Sequence, residues 1–335
     1  MLTSELDYRL PEDLIAQKPA APRDSSRLMV VDVRKGTFEH HVFRELPRFL
    51  RPGDAVVLNE TKVLPARLFA HRPGGGETEL LFLRNLGGTE DGVWEVMARP
   101  SKRLRAGMTL LAGDDKLRVL KPLGEGRWTV VGADVPGMLQ RHGHMPLPPY
   151  IRATPEAEKA YQTVYARDPG SAAAPTAGLH FSEEVLGEVE RAGARISSIT
   201  LHVGVGTFAP VRVETLADHR MHAEQYCVPD EAAQTIGHAK RVVAVGTTVA
   251  RALESWVATG SREGESELFI RPGYRWRVVD VLLTNFHLPR STLLAMVMAF
   301  AGKELIREAY EVAVKERYRF FSFGDAMLLI DGRAR

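Results

Sequence analysis

The chain has 335 residues, 44% hydrophobic and 26% charged, with net charge +2. That supports a folded protein of one or two domains and gives no global basic excess of the kind that announces a polyanion partner. The single cysteine, Cys227, excludes internal disulfides and a cysteine-built zinc cage.

The N-terminus, Met1 to Arg9, carries acidic residues and no apolar core, so it does not read as a signal peptide. Asp54 to Leu58 reads as a short buried strand. From about His71 to Met145 short strand-like runs follow: Glu79 to Leu83, Val93 to Arg99, Met108 to Leu111, Lys116 to Leu120 and Arg127 to Val131. Glycine-rich turns separate them and no helical period appears. This spacing predicts a small antiparallel sheet or barrel.

After Pro146-Leu147-Pro148-Pro149, strands alternate with helices. Ser182 is expected to cap a helix that carries Glu183 and Glu184 in its first turn and ends near Gly193. Ile196 to Val203 follows as a strand, then a helix capped by Asp230, then a strand from Arg241 to Val245. Thr247 or Thr248 is expected to cap the next helix, with Val249, Leu253, Trp256 and Val257 on one face. Val278 to Leu283 reads as a strand, and Ser291 opens an apolar helix ending at Gly302. Its run from Leu293 is about half a membrane span, so no membrane partner is expected. The fold class is mixed α/β. Residues 1–70 and 148–335 form a discontinuous main domain, and 71–147 an inserted β-barrel.

Lysines number ten, so arginine dominates the 44 basic residues, and asparagine occurs only at Asn59, Asn85 and Asn285. This fits a thermophile, which avoids heat-labile amides. A GC-rich genome would produce much of the same bias.

Four loops in the second half share one design, pairing glycine or proline with histidine or threonines. They are Pro175 to His180, His202 to Thr207, Val245 to Thr248 and Thr284 to Pro289. Loops leaving the carboxyl ends of strands line the ligand crevice of an open α/β sheet. Together they would form a pocket rich in backbone N–H groups and imidazoles, with His180, His202 and His287 as candidates for proton transfer. A satisfied structural histidine is the competing reading at each position.

Other motifs weigh differently. Gly204-Val205-Gly206-Thr207-Phe208-Ala209 matches a dinucleotide fingerprint, but Pro210 follows at once and no helix can open there. His219 and His222 stand at i, i+3, not the i, i+4 of a helical metal pair, so no metal site is expected. They are instead candidates for ligand contact, with Asp218 and Glu224 placed to orient the rings. Two basic runs could contact RNA: Arg99, Lys102, Arg103 and Arg105, and Arg317 and Arg319 among the rings Tyr318, Phe320 and Phe321. Each can equally be a solvated face.

Several longer stretches carry a family resemblance. They include Leu10 to Gln17, Arg23 to Leu28, Leu58 to Arg67, Arg99 to Arg103, Met145 to Ile151 and Tyr161 to Ala166. The most specific are Ala174 to Phe181, Leu201 to Phe208, His219 to His222, Thr284 to Leu294 and Arg317 to Asp325. On these the chain closely resembles the S-adenosylmethionine:tRNA ribosyltransferase-isomerases of queuosine biosynthesis, nearly end to end. Glu60-Thr61-Lys62 stands where Asp-Thr-Arg is expected, which keeps the charges.

The resemblance implies transfer and isomerisation of the ribosyl part of S-adenosylmethionine onto 7-aminomethyl-7-deazaguanine at the tRNA wobble position. Epoxyqueuosine forms, and adenine and methionine leave. It also implies an α/β domain with an inserted β-barrel. S-adenosylmethionine is then a consumed substrate, and no separate cofactor is needed. The expected partners are that substrate and the tRNA anticodon stem-loop; the protein is expected to be a cytoplasmic monomer. Substrate contacts are expected at Thr176, Gly178, Gly204, Gly206, Thr207, His219, Arg220, Met221, His222, Thr247, Thr248, Asn285 and Ser291. Two other readings stay open: a non-catalytic tRNA-binding module, or a purine nucleoside hydrolase or phosphoribosyl-type transferase using the same edge.

Overall fold

The computed structural model describes residues 1–87, 92–204 and 211–331. After short 3-10 turns the chain forms β1 (Arg27–Asp32), β2 (Thr37–Val42), β3 (Asp54–Asn59) and β4 (Thr61–Val63). Then come β5 (Arg67–Arg72), β6 (Gly76–Asn85), β7 (Val93–Arg99), β8 (Thr109–Ala112), β9 (Asp115–Gly124) and β10 (Arg127–Val131). Helices α1 (Val135–His142) and α2 (Pro155–Ala160) follow, then β11 (Asp168–Ser171), α3 (Glu183–Arg191) and β12 (Arg195–Leu201). Next are β13 (Glu224–Cys227), α4 (Asp230–Gly237), β14 (Arg241–Val245), α5 (Thr247–Thr259) and β15 (Glu263–Ser266). The chain closes with β16 (Val281–Asn285), α6 (Thr292–Ala301), α7 (Lys303–Lys315) and β17 (Ala326–Ile330).

A nine-stranded sheet has the order β15-β13-β12-β3-β14-β16-β17-β1-β2. Strands β12, β3, β14 and β16 are mutually parallel, and β17 returns antiparallel to β16. Every residue of β3 is buried, as a central parallel strand with both faces covered requires. Its side chains alternate between two cores. Ala55 and Val57 join the layer containing Leu253, Leu294 and Met298, while Val56 and Leu58 join Phe43, Phe181 and Val185.

Strands β5 to β10 close into a six-stranded barrel, which leaves no open sheet edge. Leu68, Leu80, Val96, Leu110, Leu117 and Val130 fill it, and α1 adds Met138 and Leu139. The expected strands are all present. The first, β5, lay outside the sequence reading and starts at Arg67, so it straddles the expected edge of the insert at residue 71. Its apolar alternation is short and flanked by arginines.

Ser182 caps α3 by accepting the Val185 N–H at 3.3 Å, and Ser291 caps α6 by accepting the Leu294 N–H at 3.1 Å. Such caps contribute about 1 kcal/mol each. Three expectations are corrected. Asp230 is the first residue of α4, and Pro229 takes the cap position. Gly246, not Thr247 or Thr248, caps α5, at φ 97°, which a side chain would strain. Val257 is 40% exposed and lies off the buried face of Val249 and Leu253. No helix among the described residues is long and apolar enough to cross a membrane.

Candidate active site

The two ends of the parallel strands carry different chemistry. At the amino ends, Asp54 pairs with Arg241 through two contacts of 2.9 and 2.5 Å. Glu254, fully buried, accepts backbone N–H groups of Arg277, Val278 and Val279. These carboxylates are occupied by the fold. Asp280 belongs to the same end: it accepts the Val242 N–H at 2.8 Å and lies away from the carboxyl edge.

At the carboxyl ends the loops converge. A cavity there is lined by Pro175, Thr176, Val203, Thr248, Thr284 and His287, so all four loops meet at one edge. The first turn of α5 points its N–H groups into this region, where an anion is favoured. Thr247 and Thr248 are both 7% exposed, and the Thr248 hydroxyl has no partner among the described residues.

The three loop histidines sit in different surroundings. His180 is 4% exposed and stacks on Phe43 with centroids 5.0 Å apart. Its Nδ1 is 2.7 Å from Ser26 Oγ, and its Nε2 accepts from the Asn285 amide at 3.2 Å. Burial pushes its pKa down to about 4, against a smaller opposing pull from Asp325. His287 shares a 2.7 Å hydrogen bond from Nε2 to Thr284 Oγ1, and burial pushes it down to about 3. Its ring lines the cavity. His202 is the most open: its side chain is 28% exposed, Nδ1 is 2.9 Å from Thr61 Oγ1, and Nε2 lies 3.9 Å from Asp168. Burial lowers its pKa and Asp168 acts in the opposite sense. Both ring nitrogens of His180 are therefore committed to the protein, whereas His202 is partly exposed and His287, though only 7% exposed, lines the cavity.

The other expected contacts divide likewise. Thr176, Thr247 and Thr248 line the cavity. Asn285 lies at the end of β16, with its Oδ1 buried and unpartnered among the described residues. Gly178 leaves room for the protein itself, because an added Cβ would lie 1.9 Å from the Tyr165 hydroxyl. Gly204 donates its N–H to Glu224 Oε1 at 2.9 Å. Gly206 and Thr207 lie outside the described residues. Ser291 is used by its cap and by the Leu288 carbonyl. Met221 lines a second cavity beside the first, His219 meets the Phe269 ring edge-on at 5.4 Å, and Arg220 and His222 are exposed. Asp218 is held by the Thr215 hydroxyl and Glu224 faces Arg251, so neither orients those histidines as expected. Among the described residues no group of three His, Cys, Asp or Glu side chains is arranged to hold a metal ion.

Arg99, Lys102, Arg103 and Arg105 are all exposed on the barrel, around the 3-10 turn Ser101–Arg103. The C-terminal basic run is different. Arg317 pairs with Asp13 at 2.6 Å, and Arg319 pairs with buried Asp325 at 3.0 Å. Tyr318, Phe320 and Phe321 are core residues, at most 3% exposed. Those rings cannot stack on bases as the sequence suggested, because Tyr318 and Phe320 pack on Phe286 and Tyr310, and Phe321 packs on Tyr150.

Three residues that no sequence motif singles out also stand here: Ser26 against His180, Asp168 near His202, and Arg251 on the second cavity. Arg251 follows Thr247 by four residues on one helix, which puts both on one face. Asp168 opens β11, and nothing local marks it as a neighbour of His202.

A model of the family described as queuosine biosynthesis protein matches residues 3–329. The chain belongs to the queuosine biosynthesis protein family. Family membership, expected from the motifs, thus rests on nearly the whole chain. The S-adenosylmethionine:tRNA ribosyltransferase-isomerase of Rubrobacter xylanophilus is 70% identical over 333 residues, covering 99% of this chain and 98% of that protein. The enzyme of the same name from Moorella thermoacetica is 50% identical, covering 98% of this chain and 100% of that protein. A crystal structure of S-adenosylmethionine tRNA ribosyltransferase from Thermotoga maritima is 36% identical and covers 98% of this chain and 100% of that one, with a TM-score of 0.57. The mixed α/β fold with its closed barrel agrees with that relationship within the queuosine family.

Proposed function

We propose that this chain transfers and isomerises the ribosyl group of S-adenosylmethionine onto 7-aminomethyl-7-deazaguanine in the tRNA anticodon loop, releasing adenine and methionine. The family match over residues 3–329 carries this reading. It does not favour the tRNA-binding module or the nucleoside hydrolase. A cytoplasmic monomer with no further cofactor completes the proposal.

The chemistry needs a base, an acid and donors for a carboxylate. The sulfonium acidifies the neighbouring 5′ C–H, and a neutral imidazole is proposed as the base that removes this proton. Adenine departs more easily with a ring nitrogen protonated, and methionine leaves as a neutral thioether. His202 and His287 are the proposed proton carriers: His202 is partly exposed beside the carboxyl edge, and His287 lines the cavity there. His180 supports the same edge by holding Asn285. The first turn of α5 is the proposed seat of the methionine carboxylate. The exposed run from Arg99 to Arg105 is the proposed phosphate contact.

The test mixes protein, S-adenosylmethionine and tRNA carrying the aminomethyl-deazaguanine, after prolonged EDTA treatment. Adenine and methionine should appear together, with a cyclopentane unit added to the base. A methylated product, or activity that returns only with zinc, would overturn the reading.

A further inference from the structure

Beside the first cavity lies a second, sharing Thr247, Thr248 and Leu293 with it. Its walls are largely apolar, with Leu268, Phe269 and Met296 among them, but Arg251 also reaches it. That arginine is 4% exposed and sits in α5, four residues after Thr247. An unpaired buried guanidinium would be costly, and here Glu224, itself 4% exposed, faces it. Glu224 also accepts the Gly204 N–H, so the pair ties the loop after β12 to the start of α5. Burial lowers the Arg251 pKa to about 10, which leaves it charged at neutral pH.

One carboxylate does not use the donors of a guanidinium, which number five in a planar fork. Three features then line one small volume: the Arg251 guanidinium, the Thr248 hydroxyl, unpartnered among the described residues, and the first turn of α5 at Thr247. All three favour an anion with oxygen acceptors. The apolar remainder of the wall suits the short methylene chain of an amino-acid arm better than a hydrated phosphate.

We propose that Arg251, held by Glu224, binds the carboxylate of the amino-acid arm of S-adenosylmethionine, with the arm lying against Met296 and Phe269. This rests on the proposed function and adds to it the residue that distinguishes the intact amino-acid arm from one lacking its carboxylate.

The test compares S-adenosylmethionine with its decarboxylated analogue at saturating modified tRNA. The wild-type enzyme should prefer the carboxylate-bearing substrate by about 10- to 100-fold in kcat/KM, the usual range for a hydrogen-bonded charged group. The double variant Glu224→Gln/Arg251→Met removes both charges together, so neither is left buried alone. It should reduce the preference to within about 3-fold while the KM for tRNA stays near wild type. A purely structural role would lower activity on both substrates equally and leave the ratio intact. A folded double variant with the wild-type ratio overturns the proposal, as does a wild-type enzyme with no preference. Should the double variant fail to fold, Arg251→Lys keeps the charge and loses the fork, and an unchanged ratio there overturns the proposal as well. Failure of the wild-type enzyme to release adenine from S-adenosylmethionine would instead refute the reaction itself.

Discussion

Asn285 donates an amide N–H to Nε2 of His180 at 3.2 Å. The same amide nitrogen donates to the Phe321 carbonyl at 3.0 Å, which settles which end of the amide faces the ring. Nε2 is therefore an acceptor, the proton sits on Nδ1, and Nδ1 donates to Ser26 Oγ at 2.7 Å. Phe321 makes this contact from a left-handed backbone conformation, φ 71°, rare for a bulky residue. The imidazole is thus held neutral and oriented, and it holds Asn285 in turn.

This arrangement has a consequence for stability against pH. The folded pKa of His180 is about 4, below the ordinary 6.5, because burial disfavours the cation. The unfolded chain then binds the proton more readily between those values. Stability is full above pH 6.5 and falls as pH drops toward 4, by on the order of 3 kcal/mol for this residue. Urea melts at pH 7.5 and pH 4.5 should show the loss, and His180→Gln should be less stable at neutral pH with a shallower dependence. An equal slope in the variant would show that the fall belongs to other groups.

Turnover should separate the three histidines. His202→Ala and His287→Ala are expected to lower kcat by about 10²–10⁴-fold at saturating substrate, the usual cost of losing a general acid or base. His180→Ala should lose stability together with activity, through Asn285. If all three variants fold and turn over near normally, proton transfer lies elsewhere. Asp325, which stands at the head of β17 beside Asn285, is then the next candidate.

A protein of net charge +2 must hold tRNA through local charge. Arg317 and Arg319 are already paired with carboxylates, so the barrel run is the freer contact. The log–log salt slope should be about −0.7 per phosphate contact for single-stranded segments. Changing Lys102 and Arg103 together to alanine should reduce its magnitude by roughly one to two units and weaken tRNA binding, leaving the KM for S-adenosylmethionine unchanged. Filter binding across a salt series measures this, and an unchanged slope would return the run to a solvated face.

Much of the architecture was legible in the chain because it is written in local patterns. The apolar run Asp54 to Leu58 announces a strand buried on both faces, and glycine-separated runs announce the barrel. Ser182 and Ser291 mark helix starts by side-chain chemistry that acts within one turn. Three of the four glycine, proline and histidine loops share one edge because they follow the parallel strands β12, β14 and β16, while Pro175 to His180 reaches that edge from β11, which pairs with β4 outside the main sheet.

What each histidine does could not be read locally. His180 is committed by Ser26 and Asn285, 154 and 105 residues away, while His202 meets Thr61 across 141. The rings of Tyr318 and Phe320 looked available beside their cations, yet tertiary packing buried them and paired the arginines. Sequence periodicity reports which face of an element is apolar. It does not report which distant polar group will face a given side chain once the sheet is assembled. Arg251 shows the difference: one helix face in the sequence, but the wall of a cavity only because Glu224, Phe269 and Met296 are brought to it by three other segments.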